Sequence, residues 1–171
     1  MVLFFIGDLV MATKPVFDQQ AAHRHFSVVC FNRTWELIDK KDRTPAEDQE
    51  MIQSSLASLW HWTQREECTP TNLSIGYWQV SRAYISLGQV ENARRYAGLC
   101  LEINRQGNVS AFYRGYAYEA LARVEAATGN RARMEEYLAE AQRAAAAVPD
   151  PQERDQLLDD LDTIRMPAGT R

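Results

Sequence analysis

The stretch TPTNLSIGYWQVSRAYISLGQVENARRYAGLCLEIN, Thr69 to Asn104, decides the fold. Thr69-Pro70 is a helix start: a hydroxyl can accept from the first-turn amides, and proline sits where no N–H is needed. Leu73, Tyr77, Val80, Tyr84 and Leu87 then step by four, three, four and three, the apolar stripe of a helix laid half against a core. Gly88 ends that helix, because glycine takes the left-handed conformation without a Cβ penalty. Val90, Ala93, Ala97, Cys100 and Leu101 carry a second stripe to about Asn104. So short a connection forces the two helices to run antiparallel.

The same punctuation recurs outward from this hairpin. No proline or glycine interrupts the chain from Asp18 to about Lys40, and Ala22, Phe26, Val29, Cys30, Arg33 and Leu37 follow helical spacing, which predicts one long first helix. Thr44-Pro45-Ala46-Glu47 reads as a capping box opening a second helix that runs to about Glu67. Gly107 and Asn108 break the chain before a fifth helix with Phe112, Tyr116, Leu121 and Val124, which Gly129 ends. A sixth covers roughly residues 131–148, and Asp150-Pro151-Gln152-Glu153 caps a short seventh that Pro167 stops. No stretch alternates with period two long enough to compete as a strand. The expected class is all-α: a stack of antiparallel α-hairpins, about seven helices, the last one a C-terminal cap.

The 171 residues suit one domain, and 46% hydrophobic with 25% charged residues is the balance of a chain that folds. Nineteen basic against 23 acidic residues give a net charge of -4, without the basic stripe that phosphate neutralisation needs, so nucleic acid is excluded as a partner. Cys30, Cys68 and Cys100 are odd in number and far apart, the pattern of reduced thiols in a cytoplasmic protein.

The opening MVLFFIGDLV lacks a positive flank, is interrupted by Gly7 and Asp8, and is too short to cross a bilayer, so no membrane association is expected. Because Met11 begins a more ordinary polar stretch, residues 1–10 read as a start-site extension or a loosely docked arm. The domain division is a flexible or loosely docked segment over 1–15, one helical domain over 16–166 and a frayed tail over 167–171.

Tyr77, Val80, Ser81, Tyr84, Gly88, Ala93, Ala97 and Cys100 recur more weakly as Tyr118, Leu121, Ala122, Glu125, Gly129, Met134, Leu138 and Ala141. This pattern resembles the tetratricopeptide repeat, in which large residues fill the gap between hairpins and small ones let the paired helices approach. The turn glycines are 129 − 88 = 41 residues apart, longer than the family's usual 34, and Glu125 stands where an aromatic is expected. The resemblance covers Ser74 to about Ile164.

It implies a non-catalytic module that holds a protein or peptide partner on the concave face lined by the first helix of each pair. Carried over by repeat position, that groove would use Ile75, Trp78, Arg82, Glu119 and Arg123. Gln79 and Ala120 replace the asparagines of the carboxylate clamp found in some family members, which argues against capture of a free C-terminal carboxylate.

A second reading is a small-ligand binder or weak enzyme. His25, Asn32 and Asp39 lie seven residues apart on one helix face, and His61, inside Trp60-His61-Trp62, could approach His25 or Asn32 across the first hairpin. Trp35 or Trp62 would serve as its lid. A third is a homodimer through an exposed apolar hairpin face. No catalytic motif is present, and neither metal-ligand spacing nor a cofactor fingerprint appears, so no cofactor is expected.

Overall fold

The computed structural model describes residues 17–165. The expectations for residues 1–16 and 166–171 lie outside that range. Within it the chain forms seven helices: α1 Gln19–Asp39, α2 Pro45–Thr63, α3 Pro70–Ser86, α4 Val90–Gln106, α5 Ala111–Ala127, α6 Arg131–Ala146 and α7 Pro151–Asp162. No described residue is in a strand. None of these helices is long and apolar enough to cross a membrane.

The caps hold where the sequence places them. Thr44 and Glu47 close a reciprocal capping box, Thr69 pairs in the same way with Asn72, and Asp150 accepts from the amides of Gln152 and Glu153. Gly88 and Gly129 both have positive φ, 67° and 76°, and turn the chain sharply enough for α3 to pair with α4 and α5 with α6. Ala83, Ala93, Ala97, Ala117 and Ala122 are fully buried between these helices, and the Ser81 hydroxyl donates to the Ala93 carbonyl at 2.9 Å. Small side chains thus set the close approach within the hairpins.

The hairpins stack so that α1 touches α3, α3 touches α5 and α5 touches α7, which lines up the first helix of each pair along one face. Leu157, Leu161 and Ile164 of the last segment are buried and close the C-terminal end. Glu125 is buried and paired with Arg94 of α4.

Two boundaries and one face differ from the sequence reading. Helix α2 stops at Thr63 because Arg65 folds back: its guanidinium lies 3.7 Å from the Trp62 ring centroid and donates to the Ser27 hydroxyl at 3.1 Å. Helix α4 runs on to Gln106. In α1 the buried residues are Ser27, Thr34 and Leu37, whereas Phe26 and Val29 are each 45% exposed. At the α1–α2 contact the Ser58 hydroxyl donates to the Ser27 carbonyl at 2.7 Å, the Thr34 hydroxyl turns back on the Cys30 carbonyl of its own helix at 2.8 Å, and Leu37 and Met51 share one buried cluster. Helix α1 thus meets α2 with a face rotated away from the stripe through Phe26 and Val29, with Leu37 common to both.

Candidate functional site

Across the aligned first helices runs a ladder of aromatic rings. Phe31 and Trp35 of α1 meet at 6.3 Å between centroids, Trp35 reaches Trp78 of α3 at 5.3 Å, Trp78 meets Tyr116 of α5 at 4.8 Å, and Tyr116 meets Phe112 at 5.0 Å. Tilted and edge-to-face contacts at such separations fix ring orientation beyond simple burial. Two of the pairs are i,i+4 neighbours, Phe31 with Trp35 and Phe112 with Tyr116, so α1 and α5 each supply two rings to one face and α3 supplies one.

Two small cavities open on this ladder, and Ile75 lines both. One, of about 120 Å³, lies between α3, α5 and α7 and is bounded by Trp78, Phe112, Tyr116 and Gln156. The other, of about 170 Å³, lies between α1, α2 and α3 and is bounded by Val28, Phe31, Trp62 and Asn72. Each is well below the roughly 300–1,000 Å³ of a site that encloses a whole small ligand, and near the 150 Å³ that accepts a single ring.

Beneath the rings is a polar hub. Glu119 is fully buried and accepts from the Trp78 indole nitrogen at 2.9 Å, from the Arg82 guanidinium at 2.9 Å, and from Arg123 one turn along α5. Arg123 also donates to the Asp160 carbonyl at 3.0 Å and to the Thr163 hydroxyl, where it meets the negative end of α7. The Tyr116 hydroxyl donates to Asp160 at 2.6 Å and accepts from Gln156 at 3.3 Å. Burial and the bond to Asp160 push its pKa well up, so it stays protonated and keeps donating. Gln79, fully buried, donates to the Phe31 carbonyl at 2.9 Å and ties α3 to α1.

The structure therefore brings Ile75, Trp78, Arg82, Glu119 and Arg123 together, but divides their roles. Ile75 and the Trp78 ring face the cavities. Glu119 has no exposed surface, and the polar ends of Trp78, Arg82 and Arg123 are engaged on it. These polar groups hold the face in shape.

The second set is not assembled into one pocket. His61 meets His23 rather than His25, with the two Nδ1 atoms 2.9 Å apart. His25 is exposed with its ring against Phe26, and Asn32 is also exposed. Trp35 meets Trp78 at a tilt, and Trp62 lines the cavity beside Val28 and Phe31, so both belong to the aromatic face. The cause is the rotation of α1: residues in register with Ser27 face α2, and His23, four residues earlier, shares that register. Phe31, Phe112 and Tyr116 were missed as site residues, although their i,i+4 aromatic spacing was a usable signal.

The Cys100 thiol is buried beside Ser74 and Asn104, and burial pushes its pKa up to about 12, leaving it inert as a nucleophile. Comparison of the chain with protein families, with characterised proteins and with solved structures gave no match.

Proposed function

We propose that the protein is a non-catalytic interaction module that holds a short peptide on the face formed by α1, α3, α5 and α7. The observation that carries this reading is the pair of apolar cavities, each the size of one side chain, that share Ile75 as a common wall. Two neighbouring one-residue sockets suit a chain that inserts two apolar side chains, and a compact small molecule would need one larger enclosure. The aromatic ladder supplies the rigid, large-area contacts that dominate peptide interfaces at small entropic cost.

The hub under the ladder is the second support. A carboxylate that binds an indole and two guanidiniums keeps the rings in place before the peptide arrives, and such preorganisation raises affinity by lowering the ordering cost. Because the polar ends of both arginines are engaged on Glu119, the face selects on shape and apolar contact more than on charge.

Selection from a random peptide library displayed on phage tests the reading. Enriched sequences should carry two large apolar residues at a constant spacing, and they should bind the Ile75→Glu variant at least tenfold more weakly while its Tm stays near that of the parent. Failure to enrich any sequence, or enriched peptides indifferent to Ile75→Glu and Phe112→Glu, would overturn it.

A further inference from the structure

The two sockets either side of Ile75 are lined without a charged side chain, and what polarity they have is mostly that of donors. Tyr113 lines the socket between α3, α5 and α7, and its ring meets Phe112 edge-on at 5.2 Å. Trp62 lines the socket between α1, α2 and α3, with the Arg65 guanidinium over its ring. Neither the Tyr113 hydroxyl nor the Trp62 indole N–H has a hydrogen-bond partner among the described residues. Asn72 lines the second socket too, and its carboxamide oxygen already accepts from the Thr69 amide at 3.0 Å and the Thr69 hydroxyl at 2.7 Å. Its amino group is therefore what it offers outward. Gln156 supplies an acceptor at the first socket, because its Nε2 is spent on Tyr116.

The sockets occupy the grooves on the two sides of α3, so they stand about one helix spacing apart, roughly 8–10 Å. A peptide must bring two side chains to one face at that interval. A β-strand returns a side chain to the same face at about 6.7 Å and again at about 13 Å, and misses on both counts. A polyproline II helix has three residues per turn and rises about 3.1 Å each, so residues i and i+3 point the same way about 9.3 Å apart. An α-helix matches at about 10.5 Å through i and i+7, but its backbone is bonded internally and leaves the socket donors without acceptors.

We propose that the face takes a proline-rich segment in the polyproline II conformation, of the pattern apolar-Pro-Pro-apolar, with one apolar side chain in each socket. This rests on the peptide reading of the face and names the class of peptide. Proline holds φ near the value that conformation needs, and it biases the residue before it the same way. It also has no N–H, so a run of it places carbonyls, and few donors, against a surface whose own polar groups are mainly donors. The uncharged lining matches an uncharged segment in the same way. Rigid aromatic walls suit such a ligand because little conformational freedom is lost on either side.

Three synthetic peptides test this by NMR titration of the full chain: Ser-Gly-Leu-Pro-Pro-Leu-Gly-Ser, the same with three prolines between the leucines, and the same with two alanines there. The first should bind at least tenfold more tightly than the second, which has the wrong spacing, and at least threefold more tightly than the third, which keeps the spacing and loses the stiffness. Tyr113→Phe removes only a hydroxyl and should weaken the first peptide about three- to tenfold with Tm unchanged. Equal or tighter binding of either control, no binding of the first peptide, or indifference to Tyr113→Phe overturns the proposal. If peptides selected from a random library still depend on Ile75 in that event, the peptide reading of the face stands and the proline-rich class alone falls; if none does, both fall.

Discussion

The Trp78 indole nitrogen donates at 2.9 Å to Glu119, which stands 41 residues further along, the same interval that separates Gly88 from Gly129. The two residues hold equivalent positions in successive hairpins, and Arg82 and Arg123, also 41 apart, supply the charge that lets the carboxylate be buried. One repeat position is used as a ring in the first copy and as its anchor in the second.

Removing that anchor leaves two guanidiniums facing each other without the buried carboxylate between them. Glu119→Ala should therefore cost about 3–5 kcal/mol of stability. Trp78→Phe keeps a ring but loses the indole donor to a charged acceptor, and should cost about 1.5–3 kcal/mol. Urea denaturation of both variants and of the double variant checks this: the two losses should add to clearly more than the double shows, because both break one network.

Gly115 of α5 faces Leu157 of α7 so closely that a Cβ placed there would stand 2.3 Å from Leu157 Cδ2. Gly115→Ala gains about 1 kcal/mol of helix propensity and meets an overpacking cost of about 1–3 kcal/mol. The expected result is a net loss that disappears in Leu157→Ala, where the same glycine replacement should stabilise. A change of sign between the two backgrounds, read from urea midpoints, is the signature of direct contact.

The His23–His61 contact makes stability depend on pH. With Nδ1 atoms 2.9 Å apart, one ring donates and the other accepts, so the neutral pair holds one proton between them. Partial burial, together with the neighbouring His23, lowers the His61 pKa below its usual value. The unfolded chain takes up a proton near pH 6.5 that the folded chain binds only at lower pH, so stability is full above that value and declines as pH falls below it. Urea midpoints at pH 7.5 and 5.5 should differ in this direction, and His61→Gln should remove most of the difference.

Much of the fold was legible because its signals are local. Capping residues, turn glycines and alternating three- and four-residue steps depend on a few neighbours each, and they placed the seven helices of the described residues. What the sequence hid was rotation. The stripe through Phe26 and Val29 has the period of a buried face, yet the hydroxyls of Ser27, Ser58 and Thr34 decide which side of α1 meets α2, and that choice depends on residues 31 positions apart. The same rotation brought His23 to His61 in place of His25 and turned Trp35 toward Trp78. Glu119 and Arg123 were legible as members of a face, and their role as its support was not, because it depends on partners 37 to 41 residues away: Trp78 and Arg82 for Glu119, Thr163 for Arg123.

The central claim is that peptide side chains enter the two cavities either side of Ile75. Titrating a library-selected peptide into the labelled full chain, and following the four indole N–H signals, tests it most directly. The expected outcome is saturable shifts at Trp35, Trp62 and Trp78, with Trp60 unmoved. Shifts confined to Trp60, or none at saturating peptide, would contradict it.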